Sequence, residues 1–161
     1  MSIDFKNVVG NSTGINNDAD ASNSIIDKFV DIYSNLTANN LHLLGDIYDN
    51  EIEFRDPVHQ ISGLSALTNY FSGMYQNISQ YEIDILSRTQ SGNTAYLEWN
   101  MKFAHPSLNK GNQIEFTGVS KLRFSEKVYY HHDFFDLGAM LYEHVPVFGS
   151  VVRMIKKRAA K

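Results

Sequence analysis

Between Tyr81 and Phe135 the chain alternates apolar and polar side chains in four runs separated by short breaks, and this patterning constrains the fold most. Tyr81, Ile83 and Ile85 alternate with Glu82 and Asp84, and Ala95, Leu97, Trp99, Met101 and Phe103 with Tyr96, Glu98, Asn100 and Lys102. Gln113–Phe124 and Val128–Phe135 read as two further strands. A period of two turns one face of each strand to a core and the other outward. Ser91-Gly92-Asn93 and Ser125-Glu126-Lys127 are tight turns, and His105–Asn112, with Pro106 and Gly111, is a loop. Long strands on short connections imply an antiparallel meander.

The chain before the meander follows a helical period. Ile25, Ile26, Phe29, Ile32, Tyr33 and Leu36 recur at helical spacing after Ser22 or Ser24, either of which can cap the helix. A short helix fits Asn39–Tyr48, a short strand Glu51–Arg55 stopped by Asp56-Pro57, and a third helix Gly63–Gln76 with Leu64, Leu67, Tyr70, Phe71 and Met74 on one stripe. After Asp136 come a short helix to Glu143, a break at Pro146 and an amphipathic helix through Arg158. The fold class is α+β, with helices packed on one face of a strongly curved sheet. Such a sheet, half-closed over a helix, leaves an apolar pocket open at one end. Residues 1–21, rich in Asn, Asp, Ser and Gly, read as a flexible leader; 22–144 form the domain, and 145–161 add a basic amphipathic helix packed on it.

Composition narrows the function. At 161 residues with 43% hydrophobic content the chain suits one globular domain. No apolar run approaches the roughly 20 residues that span a bilayer. The N-terminus lacks a basic segment followed by an apolar one, so a cytoplasmic location is the default expectation. The absence of cysteine excludes disulfides and thiolate chemistry. Residues 1–150 hold all 18 acids and nine of the 14 bases, whereas residues 151–161 hold five bases and no acid. An acidic body argues against nucleic-acid binding.

The chemistry concentrates in Tyr130-His131-His132-Asp133-Phe134-Phe135-Asp136. On a strand, His131, Asp133 and Phe135 share one face and His132 and Phe134 the other. A His or Asp carried into apolar surroundings is costly unless paired, hydrogen-bonded or functional. His131 with Asp133 reads either as a general acid/base pair or as a buried polar network that pins the first helix to the sheet, with Tyr33. Asp56 reads as a base or as the turn former that Asp before Pro commonly is. His59 lies at the expected cavity mouth. A metal site from Asp56, His59, His131 and Asp133 can be drawn, but no close His-x-His or Glu-x-x-His spacing supports one, and neither metal nor cofactor is expected.

The stretch Tyr48-Asp49-Asn50-Glu51-Ile52-Glu53-Phe54-Arg55-Asp56-Pro57, with the order of elements over residues 24–136, resembles the nuclear transport factor 2-like superfamily. Within it the chain is most similar to SnoaL-like and ketosteroid-isomerase-like proteins, and residues 131–149, from His131 to Gly149, resemble bacterial SnoaL-like proteins. The resemblance implies a cone-shaped α+β barrel, a homodimer through the outer sheet face, and a pocket for a small apolar molecule. It matches Asp56 to the base of ketosteroid isomerases and Asp133 to the acid/base residue of SnoaL-like cyclases. The oxyanion donors of the isomerases fall at Phe29 and Ser120, which disfavours steroid isomerisation, with Tyr33 a substitute hydroxyl one turn on. An Asp-Arg-Asp relay of the limonene-epoxide-hydrolase kind is disfavoured by the outward parity of Arg123 and Arg55.

The expected catalytic set is therefore Asp56, His131, Asp133 and Tyr33, with Phe29, His59, Trp99, Met101, Phe116, Ser120 and Phe135 lining a ligand pocket. As an enzyme the protein would be a cofactor-independent isomerase, cyclase or lyase. The alternative is a non-catalytic ligand-binding or protein-interaction module. The last helix sets Val147, Val151, Met154 and Ile155 against Arg153, Lys156, Lys157 and Arg158. It is expected to pack across the barrel mouth, with attachment to an anionic membrane as the other reading.

Overall fold

The computed structural model describes residues 17–145 and 148–159, with side chains from residue 25 onward. Helix α1 (Asn17–Ser34) leads through a 3₁₀ turn (Leu41–Leu43) and the single-turn α2 (Leu44–Ile47) into strand β1 (Tyr48–Arg55). A short β2 (Gln60–Ser62) and helix α3 (Leu64–Asn77) follow. The meander comprises β3 (Gln80–Ser91), β4 (Thr94–Ala104), β5 (Gln113–Phe124) and β6 (Val128–Phe135), and the chain ends in α4 (Leu137–Met140), a 3₁₀ turn (Tyr142–His144) and α5 (Phe148–Ala159).

The six strands form one curved, unclosed sheet in the order β2-β1-β6-β5-β4-β3. Meander pairs are antiparallel, whereas β1 lies parallel to β6, with a register shift between Tyr48 and Glu53. A second shift, between Ile85 and Ser87, bends β3; such irregularities increase local twist and help the sheet curl. Gly92, at positive φ, makes the two-residue β3–β4 turn that keeps the strands in register. The expected α+β class with a curved mixed sheet therefore holds.

The core lies between the concave face and the helices. The α1 stripe of Ile25, Ile26, Phe29, Ile32 and Tyr33 is buried, as are Leu67 and Phe71 of α3. Each large apolar side chain so buried contributes roughly 1.5–3 kcal/mol. On β5, Ile114, Phe116, Gly118, Ser120, Leu122 and Phe124 face in, while Glu115 and Arg123 face out, as alternation requires. The closest approach on the sheet is at Gly118, which pairs with Trp99; a methyl group there would overlap the indole.

Three elements differ from the sequence reading. Helix α1 spans Asn17–Ser34, so helix already precedes Ser22 and Ser24; residues 1–16 of the expected leader lie outside the described residues. The Asn39–Tyr48 helix contracts to two short turns, because Tyr48 already belongs to β1. Strand β2 was not expected: three residues carry no period, and the strand exists by pairing with β1. The Pro146 break lies outside the described residues.

Helix α5 also departs from expectation. Its apolar side chains do not cover the barrel mouth: Phe148, Val151, Met154 and Ile155 are 65, 44, 53 and 60% exposed. The helix instead docks through its polar side on the Tyr142–His144 turn. Gly149 is buried so close to Glu143 that a side chain would strike the Glu143 carbonyl. Arg153 donates to that carbonyl at 3.0 Å, and the Lys156 ammonium bridges Asp136 at 2.9 Å and Glu143 at 2.6 Å.

Two outcomes follow from this packing. Gly118→Ala lowers stability by about 1–3 kcal/mol, the cost of overpacking, measured by urea unfolding followed through circular dichroism. Lys156, hydrogen-bonded to Asp136, holds that carboxyl below its usual range. Its contribution to α5 docking is thus present above the ordinary Asp pKa of about 3.9 and is lost as pH falls through the lowered folded value. Protection of the α5 amides from hydrogen exchange, corrected for the intrinsic rate at each pH, should fall over that acid window more than protection in β4, and Asp136→Asn should remove the difference.

Candidate functional site

The inward face of β6 carries His131 and Asp133, both buried. Two residues apart on a strand, their Cα atoms are roughly 6–7 Å apart, yet the side chains turn toward each other and His131 Nε2 meets Asp133 Oδ1 at 2.8 Å. Register on the neighbouring strands supplies the remaining partners. Ser120 of β5 pairs opposite Asp133 and its hydroxyl donates a short hydrogen bond to the same Oδ1. The Trp99 indole N–H of β4 donates to Ser120 Oγ at 2.9 Å. At the other end, the Tyr48 hydroxyl lies 2.6 Å from His131 Nδ1.

Donor counting orients this series. An ionised carboxylate only accepts, so Nε2 carries the imidazole proton toward Asp133. Nδ1 of a neutral ring then accepts, and the Tyr48 O–H donates to it. Burial, and after it the charge of Asp133, push the Tyr48 phenol well above its usual pKa, so it keeps that proton. Aromatic rings enclose the imidazole: Tyr48 stacks on it at 5.9 Å, and Phe29, Tyr33 and Phe54 present edges at 5.7, 5.7 and 5.0 Å.

Asp133 has one oxygen left over. Among the described residues its Oδ2 takes part in no hydrogen bond, and Asp133 lines an apolar cavity of about 100 Å³. That is close to the scale of a single small ring, since about 150 Å³ accommodates benzene. The Tyr33 hydroxyl, on the same cavity wall, likewise has no partner among the described residues. Burial first, and the Asp133 charge second, raise its pKa well above the usual phenol value, so it remains a donor. Among the described residues no lysine or arginine lines the cavity. Arg123 sits outside, 5.4 Å over the Tyr130 ring, and Arg55 donates to Gln60 at 2.8 Å.

Asp56, the other expected carboxylate, also lines the cavity but is already satisfied. Its Oδ1 accepts from the Val58 and His59 amides, both at 2.6 Å, and its Oδ2 from the Tyr70 hydroxyl at 2.8 Å, with His59 Nδ1 3.4 Å away. This is the turn-forming role of an Asp before Pro. Burial, and then the Asp56 charge, raise the Tyr70 pKa, so that hydroxyl stays a donor.

The structure thus brings Asp56, Tyr33, Asp133, His59, Trp99, Met101, Phe116 and Phe135 to one cavity. It does not bring Phe29, Ser120 or His131 there. Phe29 packs against His131 and Tyr33, and Ser120 and His131 are engaged behind Asp133. With both ring nitrogens occupied, His131 has no lone pair free for a metal. Sequence reasoning missed Tyr48, Tyr70 and Tyr81. Tyr70 lay on the α3 stripe and Tyr81 on an inward strand position, so for those two a signal existed.

A curved mixed sheet wrapped on its concave side by helices, with a polar cluster at an internal cavity, is the cone of the nuclear transport factor 2-like proteins. The chain belongs to the family defined by the SnoaL-like domain, whose model matches residues 27–131. Among solved structures it is similar to a protein described as a SnoaL-like polyketide cyclase from Jannaschia sp. CCS1 (TM-score 0.66, 11% identity, 81% of this chain and 95% of that one). It is also similar to a ketosteroid isomerase-like protein from Catenulispora acidiphila solved with trimethylamine (0.62, 13%, 73% and 88%). An LEH-like epoxide hydrolase of M. tuberculosis is a further neighbour (0.61, 12%, 75% and 86%). At these identities the likeness establishes the fold. No curated protein sequence matches the chain.

The buried series makes a stability prediction. Tyr48→Phe strands His131 Nδ1 in an apolar cage and should cost about 1–3 kcal/mol, seen as a lower urea midpoint with an unchanged m-value.

Proposed function

We propose that this SnoaL-like protein binds a small apolar molecule in the cone and that Asp133 exchanges a proton with it. The observation that supports this is one carboxylate oxygen, left unpartnered by an otherwise complete hydrogen-bond series, on the wall of an apolar cavity. In this reading Asp133 Oδ2 takes a proton from a weakly acidic C–H and returns it to another atom of the same molecule. The Tyr33 hydroxyl donates a hydrogen bond to oxygen on the ligand. The result is an isomerisation, a cyclisation or, where hydroxide leaves with the returned proton as water, a dehydration. His131 is a positioning residue, since both its nitrogens act inside the protein. Asp56 caps its loop.

Among the described residues no arginine or lysine lines the cavity, which speaks against epoxide opening by an Asp-Arg-Asp relay and against anionic ligands. The outer sheet face supports a homodimer: Val119 and Phe134, paired across β5 and β6, are exposed, and Tyr96 of β4 is exposed as well. A cytoplasmic location belongs to the same reading. The satisfied state of Asp56 favours a second reading, in which the cavity only binds.

Native mass spectrometry of protein purified without added ligand should show a noncovalent organic adduct of low mass. With that compound in hand, Asp133→Asn should retain binding by calorimetry and lose conversion by about 100-fold or more. An enzyme unaffected by Asp133→Asn would sink the catalytic assignment. Binding without any conversion by the wild type would leave the second reading.

A further inference from the structure

Helix α5 is mounted inside out. Residues 148, 151, 152, 155 and 159 fall on one helical face, following the i, i+3, i+4, i+7 pattern by which helices normally meet a core. Here that face, with Phe148, Val151 and Ile155 and with Met154 at its edge, is exposed, and the opposite side, through Gly149, Arg153 and Lys156, holds the protein. A docked helix that keeps large apolar side chains in water needs something to cover them.

Charge identifies the cover. Arg158 lies beside the exposed stripe on the helix and Lys157 on its far side, and neither makes an ion pair among the described residues. No acid lies between residues 148 and 161, while the preceding chain is strongly acidic. We propose that α5 is a membrane-surface anchor, whose apolar stripe enters the headgroup region of an anionic bilayer while Arg158 beside it meets lipid phosphates and carboxylates and Lys157 adds to the attraction at longer range. The acidic body is repelled by the same surface, so the molecule presents this end first. A second copy of the chain fits less well. Pairing two α5 faces would crowd like charges with no acid on the strand of sequence that carries them. Four or five side chains also offer less than the about 800 Å² per partner of a standard interface. Among the described residues no helix is long and apolar enough to cross a membrane, so the contact is peripheral. Its geometry is that of short interfacial helices, whose binding combines buried apolar area with attraction to anionic lipid.

The test is co-sedimentation of the full chain with vesicles of phosphatidylcholine plus phosphatidylserine, against phosphatidylcholine alone. Binding is expected to the anionic vesicles only, and to fall as salt is raised. The double variant Val151→Asp/Ile155→Asp changes exposed positions and should weaken it by about tenfold or more. Lys157→Glu/Arg158→Glu should weaken it by about tenfold as well. Circular dichroism and an unchanged thermal midpoint check that both variants are folded. The proposal is overturned if the anionic vesicles do not pellet the protein at low salt, or if Val151→Asp/Ile155→Asp pellets as the wild type does. It is equally overturned if light scattering shows a dimer that this double variant dissolves while vesicle binding is absent.

Discussion

Everything at the centre of this molecule is arranged around a carboxylate held away from water. Removing an isolated ionised group from solvent costs several kcal/mol even after relaxation, and a partner that is itself buried seldom recovers all of it. Asp133 is accommodated because three other elements present donors in register: Ser120 from β5, the Trp99 indole behind it from β4, and Tyr48 from β1 acting through His131. The parallel pairing of β1 with β6, unusual in an otherwise antiparallel sheet, is what brings Tyr48 to the histidine. A well-packed apolar group would satisfy the same space more cheaply, so the cluster is not the cheapest way to fill this part of the core.

The two carboxylates of the cavity show how environment separates roles. Asp56 sits on a loop whose amides it caps, and four donors approach its two oxygens. Asp133 sits on a rigid central strand, where one oxygen is saturated and the other faces apolar side chains. Rigid elements hold reactive groups more accurately than loops do. The contrast explains why the residue next to a proline, which the family resemblance makes the obvious base, is here the less available of the pair.

Much of this was legible in the sequence. Alternation from Thr94 to Phe135 defines β4, β5 and β6 nearly to the residue, and parity alone separates His131 and Asp133 from His132. The Asp56 turn was legible as one of two readings. Tyr48 was not: it closes a helical apolar pattern, and its partner lies 83 residues away through a parallel pairing that no local period encodes. Nor does spacing say that His131 and Asp133 touch, since that rests on rotamers. The amphipathy of α5 was plain, but which side meets the protein was decided by one close backbone approach at Gly149 and two bridges from Lys156, each specified by residues elsewhere in the chain.

The Trp99–Ser120 contact has an optical consequence. Trp99 is the chain's only tryptophan, and its indole N–H ends the hydrogen-bond series that begins at the Asp133 carboxylate. The same indole lines the cavity, so the emission of a single intrinsic fluorophore reports on what enters it, and the protein carries a built-in indicator for its own cavity.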